Sequence, residues 1–267
     1  MTATLASIHI YPLKSGAPMP LDSARVESCG LEHDRRWMAV DGRGKFLTGR
    51  QHPRLTLIRA QPDGDGTLHM RAPGMPDLHL AAPAHAPRGD VEVWGSRVDA
   101  LIADAMANAW IGAYLGIPAR FAHMDDACRR AVDPDHSRPG DIVSFADGYP
   151  LLLISQAALD LLNSKLALPV PMLRFRPSIV VDGVAAHAED HWQRVRIGGI
   201  EFDVVKPCIR CVFTTVDFER GEFDPSGEPL RTLLTYRRTP KGVSFGQNLI
   251  PRSIGTLKIG DAVEVLA

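Results

Sequence analysis

The segment Lys206-Pro-Cys-Ile-Arg-Cys-Val-Phe-Thr-Thr-Val-Asp217 sets two thiols, Cys208 and Cys211, in a Cys-x-x-Cys with Arg210 beside the second. Four chemistries suit such a pair. A thioredoxin-like redox pair needs its first thiol at a helix N-terminus, where the dipole lowers the thiol pKa. The β-branched run at 212–216 predicts a strand directly after the pair, which counts against that chemistry. A zinc site needs about four ligands, and neither a second Cys-x-x-Cys nor a nearby His pair completes one here. Two ordinary buried cysteines are the plain structural alternative. The fourth is a single thiolate bound to a soft metal, with Arg210 favouring the anionic sulfur. The pair by itself leaves the last two open.

Cations stand at several strand boundaries. Tyr11-Pro-Leu-Lys-Ser15 sets an ammonium and a hydroxyl just past a strand end, a combination that suits an anionic phosphate. Asp34-Arg-Arg-Trp37 and Arg174-Phe-Arg-Pro177 add guanidinium groups. Each segment alone also fits a solvated loop or an exposed strand end; together they suggest an anion-binding crevice. Other chemistries lack their motifs. G-x-G-x-x-G, the P-loop, G-x-S-x-G and H-E-x-x-H are all missing, and His33, His52 and His191 read as surface or packing residues.

The elements that must position these groups are mostly strands. Apolar alternation predicts strands over 3–11, 36–41, 54–60 and 67–71, with a hairpin turn at 41–44 leading into 45–48. Residues 72–90, rich in Pro, Ala and Gly, predict an exposed loop. Ile102, Met106, Trp110 and Ala113 recur at helical spacing, predicting a helix over 99–115 that ends at Gly116-Ile-Pro118. Residues 123–141 lack periodicity and predict a long loop of functional character. A buried strand is expected over 149–154, then a helix capped by Ser155 and running to Leu166. Short strands at 178–182, 194–197, 201–205 and 212–216, a helix at 229–237 and two terminal strands over 255–266 complete the chain. The fold class is therefore mixed α/β and β-dominated, with a β-barrel-like second half. The division is expected between 115 and 125, giving domains 1–118 and 119–267.

A chain of 267 residues with net charge -1 can bury a substantial core and carries no bulk charge to hold nucleic acid or an anionic membrane. No secretory leader and no apolar run near 20 residues is visible, and four cysteines make no disulfide scaffold. A cytoplasmic location is expected.

In order, the segments 11–15, 30–37, 47–55, 147–155, 174–178, 188–192, 206–217 and 245–250 resemble the MOSC family with its N-terminal β-barrel companion domain. The chain is similar to the bacterial YcbX-like and mitochondrial amidoxime-reducing subgroups. Any one motif is weak; eight in the expected order are specific. The resemblance implies an N-terminal β-barrel-like domain and a C-terminal MOSC β-barrel with a few peripheral helices. It implies molybdenum-molybdopterin as cofactor, with Cys211 as metal ligand and Cys208 as bystander. Lys14, Ser15 and Arg35 then match positions holding the cofactor phosphate, and Arg176 and Ser178 those touching the pterin. Arg210 lies beside the metal ligand. Asp147 and Gly148 line the metal pocket, with Asp147 a candidate to orient a metal-bound water or relay protons. Phe245, Gln247 and Asn248 are expected nearby. Position 178 departs from the family, being Ser where Asn is usual, which shortens the reach of that contact.

The activity implied is reduction of N-hydroxylated small molecules at the N–O bond. No cysteine cluster for an iron–sulfur centre occurs and no zinc is expected. Electrons are thus expected from a separate redox protein of ferredoxin or flavin-reductase type. Two alternatives remain: a non-catalytic carrier of molybdenum cofactor or sulfur, and a β-rich binding module with a structural cysteine pair.

Overall fold

Thr4–Ile10 forms a strand, as its apolar spacing predicts, with Leu5, Ile8 and Ile10 buried. The computed structural model describes residues 2–63, 67–81 and 86–267. The first strand pairs antiparallel with Ile179–Asp182 from the far half of the chain, which lies parallel to Leu151–Ser155. The sheet continues antiparallel through Gly242–Pro251, Ile200–Arg210, Arg194–Ile197 and Val263–Val265. A bridge between Thr4 and Ala262 carries the last edge back to the first strand. The hydrogen bonds from Leu5 N–H to Asp261 O and from Val263 N–H to Ala3 O, both 2.9 Å, flank it. The sheet thus curls on itself around Leu5, Leu153, Ile179, Val195, Phe202 and Leu249. Closure pairs the edge N–H and C=O groups that an open sheet leaves bare.

The second sheet runs Trp37–Asp41, Ala119–His123, Ser96–Ile102 and Arg88–Val93, all antiparallel. It also curls, because residues 45–47 bond on one side to Ala39 and Asp41 and on the other to Glu92. Val40, Val91, Val93 and Val98 fill its inside. Trp37, Ala39 and Phe121, on its other face, pack on the helix Ala105–Leu115 and on a three-stranded sheet of 59–62, 68–71 and 78–80. The protein is mostly β, with three α-helices among the described residues, Ala105–Leu115, Gln156–Asn163 and Leu230–Tyr236.

Five local expectations are corrected. The helix expected from Asp99 begins at Ala105, because Asp104 accepts a capping bond from Ala107 N–H at 2.8 Å; the strand Ser96–Ile102 occupies the preceding residues. Met106, expected on the buried face, is 67% exposed. Residues 53–57 form a 3₁₀ turn opened by Pro53, with a strand only from Arg59 to Pro62. The stretch 72–90 holds the strand Leu78–Leu80, whose two leucines are buried; 82–85 lie outside the described residues. Finally, Val212–Thr215 is a 3₁₀ turn and only Val216–Asp217 is extended. There the Thr214 and Thr215 hydroxyls donate back to Cys211 O and Val212 O, at 3.0 and 2.8 Å. These short-range bonds override the strand preference of β-branched residues.

Candidate active site

Strand ends from both halves meet at one cleft. All of the predicted site residues line it: Lys14, Ser15, Arg35, Asp147, Gly148, Arg176, Ser178, Arg210 and Cys211. Of the neighbours expected from 245–250, Asn248 lines the cleft as well, donating to Lys206 O at 3.1 Å. Phe245 and Gln247 lie behind its wall, buried against Phe175 and bonded to Asp190.

The cationic end is built on unusual backbone. Ser15, Arg35 and Arg176 have φ of 65°, 50° and 55°. Each left-handed non-glycine residue costs on the order of 1–3 kcal/mol, and such strain gathers at functional sites. Arg35 lies over the Tyr11 ring at 4.1 Å and Arg176 at 3.9 Å. Asp34, fully buried, accepts from Arg35 Nη1 at 2.5 Å and from Tyr11 N–H at 2.7 Å. Arg176 Nη1 donates to Gly16 O at 2.7 Å, while its Nη2 is buried without a partner. Burial, only partly offset by Tyr11 and aided by repulsion from Arg35, draws Arg176 down to about 10. Ser15 Oγ accepts from Gly49 N–H at 3.0 Å, which leaves its own hydrogen free to donate.

Lys14 is 5% exposed; its Nζ donates to Phe145 O at 2.7 Å and to Asp147 Oδ1 at 2.6 Å. Burial lowers its pKa to about 8 in spite of the Asp147 charge. Burial would raise Asp147, but Lys14, the indole N–H of Trp94 and Arg35 outweigh it and hold the carboxyl well below the usual range. That side chain is 78% exposed, so water in the open cleft screens its attraction to Lys14. Asp147 is a carboxylate at neutral pH, an acceptor rather than a proton donor.

The segment carrying Asp147 is held from behind by Arg130. This guanidinium, 5% exposed, donates to Ser144 O at 2.9 Å, Ala146 O at 2.5 Å and Asp147 O at 2.8 Å. Burial lowers it to about 10. Gly148 leaves open space at the cleft, since an added Cβ meets no atom within 4 Å. Ser178 is buried, its Oγ accepting from Leu152 N–H at 3.3 Å.

The two cysteines part company. Cys208 sits on the strand Ile200–Arg210, half-buried, and its sulfur receives Arg210 Nη1 at 2.8 Å. Arg210 Nη2 donates to Phe175 O at 2.6 Å, and its Nε is buried and unpartnered. The guanidinium expected to attend Cys211 is therefore turned to Cys208. Successive residues on a strand point to opposite faces, and Arg210 shares its face with Cys208. Cys211, just past the strand, is an exposed free thiol.

The donor set fits an anionic pterin cofactor bearing a soft metal. Lys14, Arg35, Arg176 and Arg210 line the cleft against one carboxylate at its rim and one behind it, with two guanidinium nitrogens unpartnered. No group of three or more His, Cys, Asp or Glu among the described residues could by itself hold a metal ion, so a metal here needs further ligands from its cofactor. Three lining or supporting residues escaped the sequence reading. Arg130 lies in the aperiodic stretch 123–141, where its functional loop character was the only signal. Trp94 reaches the cleft mouth from a hairpin tip with no local pattern to mark it, and Arg50 from a turn within 47–55, a segment that carries the family resemblance but gave Arg50 no site role.

Comparison with known proteins agrees with this geometry. Residues 2–118 match the MOSC N-terminal beta barrel domain and residues 140–264 the MOSC domain. The chain is 35% identical over 283 residues to mitochondrial amidoxime-reducing component 1 of Homo sapiens, covering 98% of this chain and 83% of that protein. It is 32% identical over 279 residues to mitochondrial amidoxime reducing component 2 of Bos taurus, covering 97% and 82%. Molybdenum cofactor sulfurase of Oryza sativa subsp. japonica is 31% identical over 261 residues, which are 91% of this chain but 32% of that protein. The chain belongs to the MOSC family in its form with an N-terminal MOSC barrel, and is homologous to the mitochondrial amidoxime-reducing components over nearly its whole length.

Proposed function

We propose that the protein is a molybdenum-cofactor-dependent reductase of N-hydroxylated small molecules, supplied with electrons by a separate redox protein. The observation that carries this reading is the meeting of Lys14, Ser15, Arg35, Arg176 and Arg210 with the exposed Cys211 thiol in one cleft. Lys14, Ser15 and Arg35 would hold the phosphate, Arg176 and Ser178 the pterin, and Cys211 the metal, with Arg210 beside the pair. The bound group would supply the redox chemistry: two electrons and two protons turn an N–OH into an N–H and water. Asp147 stays ionised at neutral pH, so its part is to accept a hydrogen bond and orient water or substrate. Arg130 and Lys14 fix the segment that carries it. Ile209 and Val212, 38% and 46% exposed, flank Cys211 and offer an apolar surface for transient docking of a ferredoxin or flavin-reductase type donor.

Metal analysis of protein expressed in a molybdopterin-competent host tests the assignment. One molybdenum per chain is expected, lost in Cys211→Ala and kept in Cys208→Ala; equal loss in both, or none in the wild type, sinks it. The exposure of Cys211 also favours a carrier that hands its cofactor on. A carrier transfers cofactor to an acceptor protein and fails to oxidise reduced viologen with an amidoxime; the enzyme does the reverse.

A further inference from the structure

Trp94 stands where a tryptophan does not belong on folding grounds. Val93 pairs with Ser96, so Trp94 and Gly95 form a two-residue hairpin loop, with φ of 50° and 79°. Positive φ at both positions is the type I′ turn, which favours Asn, Asp or Gly at the first and Gly at the second. Core packing does not explain the choice either, because Trp94 is 46% exposed. Yet the ring is held on several sides. Phe46 lies 5.0 Å away at 54°, the Arg50 guanidinium is 4.6 Å from the ring centroid, and Nε1 donates to Asp147 Oδ1 at 3.1 Å. All four residues line the cleft that holds Cys211. A strained, half-exposed aromatic fixed at the mouth of a site points to a ligand.

We propose that Trp94, with Arg50 and Asp147, is the specificity-determining platform of this cleft, and that it selects planar, conjugated amidoximes over aliphatic ones. The proposal rests on the reductase reading and names its substrate class. A half-exposed indole is a stacking surface for a flat π-system, whereas an alkyl amidoxime offers little to stack. The platform already carries a planar N–C–N cation, the guanidinium of Arg50. Reduction of an amidoxime yields an amidine, which is that same N–C–N shape and is protonated at neutral pH. Its charge suits the ring face and the carboxylate beside it. Both bonds to Asp147 use Oδ1, and no described residue engages Oδ2. That oxygen is available to an amidoxime N–H. The unfavourable turn residue is then retained for recognition, and replacing it should release strain as it removes selectivity.

The test is calorimetric binding of benzamidoxime and acetamidoxime to protein isolated from a molybdopterin-competent host, with molybdenum content and melting temperature measured alongside. In the wild type, benzamidoxime should bind about 10-fold more tightly, the usual scale of one aromatic stack. Trp94→Asn suits the turn, so its melting temperature should stay level or rise while the binding ratio falls to about 1. Trp94→Phe, which keeps a ring but loses the N–H, should keep most of the ratio. A wild-type ratio near 1, or a ratio in Trp94→Asn within about twofold of wild type, overturns the proposal. Failure of the reductase reading is distinct: protein without molybdenum or turnover that keeps a Trp94-dependent ratio sinks that reading and supports recognition of planar amidoximes.

Discussion

Arg130→Met removes the clamp on residues 144–147 while keeping a side chain of similar length. Three hydrogen bonds are lost, to the carbonyls of Ser144, Ala146 and Asp147. Bonds from a charged donor contribute roughly 1.5–3 kcal/mol each, so the nominal loss is roughly 5–9 kcal/mol. Against it stands the cost of burying the guanidinium. Burial takes Arg130 from 12.5 to about 10, and at 1.36 kcal/mol per pKa unit that offsets roughly 3 kcal/mol. Water entering from the cleft recovers part of what remains, leaving a destabilisation of about 2–4 kcal/mol. Urea denaturation measures the total. Hydrogen exchange locates it, with exchange at 144–148 expected to quicken by more than the shared global loss seen in Thr4–Ile10. Molybdenum occupancy should fall with the loss of order around Asp147. A stability loss below about 1 kcal/mol with unchanged exchange at 144–148 would refute the idea that Arg130 positions this segment.

Two further outcomes concern buried titratable groups. Lys14 has a folded pKa of about 8, below its ordinary 10.5, so the unfolded chain binds more protons between those values. Stability gained at Lys14 therefore rises with pH from about 8 to 10, by roughly 3 kcal/mol at full extent. Denaturation curves for wild type and Lys14→Met should differ by that slope; the subtraction is needed because burial raises Cys128 to about 11 and Tyr11 to about 12, bending the curve the other way. A slope unchanged in Lys14→Met refutes it. Glu189 is fully buried, with Oε1 accepting from Ser155 N–H at 3.0 Å and Oε2 unpartnered, and burial raises its pKa. Its stabilising share is present below about 4.5 and declines as pH rises through the folded value. Glu189→Gln should therefore be neutral or stabilising by up to about 1–2 kcal/mol at pH 8 and should flatten that decline, read as the urea midpoint against pH.

Much of the strand pattern was legible, because apolar residues such as Leu5, Ile8 and Ile10 mark the buried side of a strand, although an irregularity between Leu5 and Ser7 is what lets Leu5 and Ile8 share one core. Legibility failed where a short-range bond outweighed propensity. The Asp104 cap moved the start of a helix, and the back-bonding hydroxyls of Thr214 and Thr215 turned a β-branched run into a 3₁₀ turn. The strand Leu78–Leu80 was hidden by the Pro and Gly around it.

The candidate site divides in the same way. The resemblance to the MOSC family placed Lys14, Ser15, Arg35, Asp147, Gly148, Arg176, Ser178, Arg210 and Cys211 on one list; residue type alone marks only the cations, the Ser15 hydroxyl and the cysteine pair. Their meeting in one cleft was decided by the tertiary structure, through pairing of Thr4–Ile10 with Ile179–Asp182 and closure of the sheet. So was the direction of each side chain. Arg210 turns to Cys208 because strand alternation puts them on one face, and Arg130 reaches Asp147 because residues 144–147 fold back over it. Trp94 joins the site from a hairpin whose spacing has no relation to it, and Arg50 from a motif segment that assigned it no role. A sequence records which groups are present and the period of their local element. Contacts between distant segments depend on how closed sheets pack, and no local period encodes that.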